Sequence, residues 1–177
     1  MAEALRSFVA ADVAGVVLDL RNNPGGYLHA AVDVTSQFLA SGAVVEEERS
    51  DGARKRHEAR RGGLWTDRPV VVLVNRGSAS AAEVVAAALR DSGRARLVGE
   101  PTHGKGTVQN VHDLSDRSSL RLTIARWLTP SGEAIQGQGV QPDVLVEAEP
   151  GEPDEQLEAA RALLAEQVAG RAGAAGR

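Results

Sequence analysis

Cysteine is absent from the 177 residues, which excludes disulfides and thiolate metal sites and leaves the redox compartment open. Aromatic residues make up only 3% of the chain, so Val, Leu and Ala must fill whatever interior forms. No window approaches the roughly 18 consecutive apolar residues of a membrane span, and none is expected. A basic surplus is missing too: the formal net charge is −4, which argues against nucleic acid as a partner, because phosphates draw a cationic face. The opening Met-Ala-Glu-Ala-Leu-Arg-Ser-Phe has no basic segment followed by an apolar core, so it does not read as a secretion signal. The four histidines, His29, His57, His103 and His112, follow no metal-ligand spacing, and no metal or cofactor is expected.

What is present is enough for one globular domain, since 42% of the residues are apolar. Residues 2–12 are helix-prone, with Leu5, Phe8 and Val9 on one face. Gly15-Val-Val-Leu-Asp-Leu20 reads as a short strand buried on both faces, ending in the turn Arg21-Asn-Asn-Pro-Gly-Gly26. A helix is expected from about Leu28 to Phe38, then a strand from Ala43 that ends in Glu46, Glu47 and Glu48. The polar, arginine-rich residues 49–63 read as a surface excursion. Pro69–Val74 is the clearest buried strand, followed by an alanine-rich helix over 79–92. Arg94–Gly99 is a third short strand, and Thr107–Asp113 and Ser119–Leu128 alternate as antiparallel neighbours. Val140–Val146 contains a proline and belongs at a sheet edge, and a helix from Asp154 to about Val168 closes the chain. The domain division is 1–148 for a core, 149–170 for a helix packed on it and 171–177 for a disordered tail.

Ser80 stands where a buried strand gives way to a helix, and helix starts carry unpaired N–H groups. A hydroxyl there can act as a nucleophile, with the Ala81 N–H facing a developing oxyanion. Ser80-Ala-Ala-Glu83 is equally a capping-box pattern, and Ser78 is as good a cap, so the segment alone leaves both roles open. Lys105 lies between Gly104 and Gly106, either as a solvated loop lysine or as a base. An ordinary lysine titrates near ~10.4, so a base here requires dry surroundings and no carboxylate holding its charge. If Lys105 opens a strand, Gln109 shares its face and can orient the amine without restoring charge; otherwise it is an exposed strand glutamine. Gly99 to Lys105 also satisfies the start of a phosphate-binding loop, but Gly106 stands where Ser or Thr should hold magnesium, and a strand follows where a helix should.

With these residues in view, the chain resembles the carboxyl-terminal processing peptidases, serine endopeptidases with a Ser/Lys dyad, from about Ala4 to Val168. The resemblance rests on Gly15–Gly26, Val74–Glu83, Gly99–Gln109 and Gly139-Val-Gln-Pro-Asp143 together. It implies an α/β fold of the crotonase/ClpP type, with a mixed sheet and flanking helices. It implies Ser80 as nucleophile, Lys105 as general base and Gln109 as the residue orienting it. The oxyanion hole it implies is the N–H of Ala81 with that of Gly26, or failing that Gly25. The substrates implied are protein or peptide C-termini, in the cell envelope or another extracytoplasmic site, and assembly into oligomers is compatible with it. In that family an export signal or anchor and a PDZ module usually precede the core. Neither is seen here, so a core cut from a longer protein is the expectation. The competing expectation is a catalytically silent or misaligned member that binds a peptide or apolar ligand in its cleft.

Overall fold

The computed structural model describes residues 1–147 and 154–175. Val70–Val74 (β4) is the centre of the fold, all five residues buried. Its side chains alternate between two cores, as period two requires. Val70, Val72 and Val74 face one, and Val71 and Leu73 face the other. β4 pairs in parallel with Val16–Asp19 (β1) and with Arg96–Gly99 (β5), and β5 pairs in parallel with Val144–Leu145 (β8). The sheet order is thus β1-β4-β5-β8. β1 is only half-buried, not covered on both faces as its apolar run suggests, because it lies at an edge of this sheet.

A second, antiparallel sheet has the order β3-β2-β7-β6, from Arg54–Glu58, Ala43–Arg49, Ser119–Leu128 and Thr107–Asp113. The mixed α/β class therefore holds, with parallel and antiparallel pairing kept in separate sheets. β3 lies inside the stretch expected to be an irregular surface excursion. It has no apolar alternation to announce it and forms because Arg54, Lys55 and Arg56 lie opposite Glu48, Glu47 and Glu46 across the hairpin.

Between the sheets run Leu28–Thr35 (α2) and Ala81–Asp91 (α3), whose Val32, Val84, Val85 and Leu89 pack with Val44, Val45 and Trp127. Glu155–Ala175 (α4) covers the far face of the parallel sheet through Ala160, Leu157 and Leu164. It runs past Val168 to Ala175, through Gly170 and Gly173. The expected domain boundary at 148/149 and residues 176–177 lie outside the described residues. Ala2–Ala10 (α1) buries Leu5 alone, while Phe8 and Val9 stand exposed instead of facing inward.

Two half-buried charged groups fasten the periphery. Arg94 donates to the carbonyls of Phe38, Trp65 and Arg68, and burial pushes its guanidinium below arginine's usual range. Asp91, at the end of α3, accepts from Arg90 at 3.0 Å and from the Ser131 N–H at 3.0 Å. Burial alone raises its carboxyl, but the hydrogen bonds from Ser131, Thr129 and Arg90 outweigh that and hold it below the ordinary range. A folded-state value below the unfolded one stabilises at neutral pH, and that stability drains away as pH falls through the folded value. Denaturant titrations should therefore find Asp91→Asn less stable than wild type at pH 7, the gap closing towards pH 3.

Candidate active site

The turn after β1 and the turn before α3 are laced together. The Ala79 N–H donates to the Asn23 carbonyl at 2.9 Å, and the Asn22 N–H to Asn75 Oδ1 at 2.9 Å. Ser78 is buried with its hydroxyl committed, donating to the Leu20 carbonyl at 2.8 Å and accepting from the Asn75 N–H at 3.0 Å. The Ser78 hydroxyl is thus fully engaged within the fold. Ser80, two residues on, is half-buried, and its hydroxyl makes no cap hydrogen bond. Its backbone sits at φ 57 and ψ −119, a region that residues with a Cβ rarely enter. Such strain at a strand-to-helix turn is how a hydroxyl is pushed clear of its own backbone.

Glu83 holds this corner in place. It is fully buried, and both carboxyl oxygens act as acceptors. Oε2 receives the Ser80 N–H at 2.7 Å and the Lys105 N–H at 2.9 Å. Oε1 receives the Thr102 hydroxyl at 2.5 Å and the Gly104 N–H at 2.7 Å. The serine and lysine segments thus hang from one oxygen of one side chain. The glutamate arm of the capping box closes on the Ser80 N–H, and the rest of its capacity goes to residues 102–105. That cross-link is invisible in the sequence, where Glu83 reads only as a helix cap.

Lys105 has a fastened backbone and a free side chain. The Gly106 N–H donates to Gln136 Oε1 at 2.9 Å, and the Gly106 carbonyl accepts from Trp127 at 2.7 Å. The residue is exposed, and its amine makes no hydrogen bond or ion pair among the described residues. β6 begins at Thr107, so Lys105 lies in the loop before it and strand alternation does not extend to it. Gln109 is exposed on β6, paired in register with Thr123 and not bonded to Lys105.

The Gly25 N–H is used by Asn23 Oδ1 at 2.9 Å, whereas those of Gly26 and Ala81 have no partner among the described residues. Gly25 has φ +101, and a Cβ there would lie 2.7 Å from the Ala79 carbonyl and 2.8 Å from both Ala81 N and Ser80 Cβ. Gly26, at φ +156, has open space around it. Gly25→Ala should therefore cost about 1–3 kcal/mol from backbone strain alone, with the clash in addition. Gly26→Ala should cost visibly less in the same denaturant titration.

Beside these donors opens a cleft of about 230 Å³, lined by Leu18, Leu20, Ala31, Val34, Ala82 and Val85. Most of its lining is apolar, but Asp19 and Asn23 also line it, together with Gly25, Gly26 and Ala81. Tyr27 stands exposed at the entrance, stacked on His29 at 5.2 Å.

A model of peptidase family S41 matches residues 1–146. A carboxy-terminal-processing protease of Bartonella bacilliformis is 48% identical over 134 residues, 75% of this chain and 31% of that protein. A carboxyl-terminal-processing protease of Synechocystis is 43% identical over 147 residues, covering 83% and 34%. Among solved structures, a photosystem II D1 C-terminal processing protease superposes with a TM-score of 0.76 at 45% identity, over 82% of this chain and 39% of that one. The chain spans about a third of the length of the curated relatives it matches.

Proposed function

Since this chain belongs to peptidase family S41, we propose that it is the catalytic core of a serine endopeptidase that cleaves polypeptides near their C-termini with Ser80 and Lys105. The observation that carries this reading is the shared oxygen, Glu83 Oε2, from which the Ser80 and Lys105 backbones both hang. It holds the two segments side by side while leaving the hydroxyl and the amine unbonded.

The neutral Lys105 amine takes the proton from the Ser80 hydroxyl as Oγ bonds to the scissile carbonyl carbon. The tetrahedral oxyanion is met by the N–H groups of Gly26 and Ala81, each worth on the order of 3 kcal/mol. Gly26 is favoured over Gly25 because the Gly25 N–H already has its acceptor. Collapse breaks the C–N bond, the leaving amine takes the proton from Lys105, and water activated by the same amine hydrolyses the ester. The exposure of Lys105 makes desolvation part of substrate binding: the bound polypeptide covers the amine, excludes water and favours its neutral form. Gln109 orients the amine in that covered state. The apolar cleft beside the donors takes an uncharged side chain next to the scissile bond.

The free Lys105 side chain favours one other reading, a silent core that binds peptide without cutting it. A peptidyl phosphonate with an apolar residue at the reacting phosphorus separates the two. The peptidase reading expects a covalent adduct whose mass maps to Ser80. An unmodified Ser80 with the peptide still bound supports the silent core.

A further inference from the structure

The antiparallel sheet has two free edges of opposite construction. β3 carries Arg54, Lys55 and Arg56 in succession, with Arg54 held 2.9 Å from Glu48 and 3.6 Å from Glu46. Cations along an edge are how proteins keep a further strand from adding. β6 has no such guard. Thr107 to His112 includes no lysine, arginine, acid or proline, and the irregularity in its pairing with β7 lies near its start, between Val108 and Gln109. Its outward N–H and C=O groups face no neighbouring strand among the described residues. Around this open edge stand large apolar side chains in solvent: Val111 on β6 itself, and Leu120, Leu122 and Ile124 on β7. Six uncharged edge residues, closed by Asp113 and with apolar neighbours, are a template for an incoming strand.

We propose that the free edge of β6 receives an extended, uncharged segment of the polypeptide substrate as an added strand. This deepens the peptidase reading and rests on it. The substrate is favoured as occupant by continuity: β6 starts at Thr107, directly beyond Lys105 and Gly106, and contains Gln109. A chain paired along this edge runs to the serine corner and covers the exposed lysine on the way. Charge agrees along Thr107–His112, which carries no formal charge, although Asp113 ends the strand and Arg121 of β7 lies opposite Val111. Main-chain hydrogen bonds supply affinity with little dependence on sequence, and Val111 supplies an apolar contact on one face of the added strand.

The test is amide hydrogen exchange on the full chain, with and without the peptidyl phosphonate. Protection should appear at alternate residues of Thr107–Asp113, by at least tenfold, with none at Arg54–Glu58. Val111→Lys, which copies the guard of β3, should raise KM for a peptide at least fivefold and leave labelling by a small non-peptidic phosphonate unchanged. Labelling of Ser80 without β6 protection overturns the added strand and leaves the nucleophile standing. Protection of β6 without labelling does the reverse. Protection that grows with protein concentration in the absence of peptide assigns the edge to a second copy of this chain and overturns the proposal.

Discussion

Ser80→Gly is expected to yield a protein more stable than Ser80→Ala and equally unable to turn over substrate. The backbone at residue 80 lies at φ 57 and ψ −119, where a Cβ is strained by about 1–3 kcal/mol. Alanine keeps the Cβ and the strain; glycine removes both, at an entropic cost in the unfolded chain of about 0.4–1 kcal/mol. The net gain of glycine over alanine should therefore be on the order of 1 kcal/mol, about 2–4 °C in Tm for a chain of this size. Both variants lose the attacking oxygen, so turnover should fall by about ten-thousandfold or more. Thermal melts and peptide cleavage on the three proteins check both halves. Cleavage by Ser80→Ala at the wild-type rate would falsify the nucleophile assignment. Equal melting of the two variants would show instead that the turn is unstrained.

Glu83→Gln should be the most damaging near-isosteric change in the molecule. Whichever way the amide turns, its NH₂ replaces an oxygen that accepts from two donors. Either Ser80 and Lys105, or Thr102 and Gly104, then lose their acceptor in a buried site. Each unsatisfied donor costs about 1–3 kcal/mol, so the loss should be on the order of 3 kcal/mol, or about 6–12 °C in Tm. In either orientation one of the two oxygens that tie residues 102–105 and Ser80 to this corner is lost, while the apolar core on Val70–Val74 stays packed. Turnover should consequently drop by at least a hundredfold at temperatures where circular dichroism still shows a folded chain. A variant that melts early yet keeps wild-type kcat when folded would reduce Glu83 to a purely structural group.

The strands that could be read from the sequence are those whose side chains meet a core. Val70–Val74 is apolar throughout because it faces one core on each side, and Thr107–Leu128 alternates because it is a hairpin. β3 gave no such signal, since its partner β2 decides its conformation across a run of opposite charges. For the same reason β1 reads as doubly covered when it is an edge: the sequence carries apolarity, not the number of neighbours. The site shows the same division. Ser80, Lys105 and the glycine turn were legible from local pattern, with the family resemblance choosing between Ser78 and Ser80. The fold adds an independent reason for that choice, the commitment of the Ser78 hydroxyl to Leu20. Glu83 was legible only as a cap, because its partners at 102, 104 and 105 come near it only after β5 has crossed the sheet. Period-two spacing suggested a face shared by Lys105 and Gln109, but the strand starts two residues too late for the rule to apply.

Arg21 sits one residue ahead of the Asn-Asn-Pro-Gly-Gly turn, and its guanidinium bridges Asp19 at 2.8 Å and Asp154 at 2.8 Å, with Gln156 at 3.3 Å. Those partners raise its pKa further above the ordinary arginine value, so the cation persists at any pH the protein survives. Asp154 and Gln156 belong to the start of α4, the helix on the opposite side of the parallel sheet. Beside the apolar packing of that helix on the sheet, this planar ion ties its first turn to the residue just ahead of the glycine turn proposed to meet the oxyanion. Displacing the start of α4 should therefore shift that turn as well.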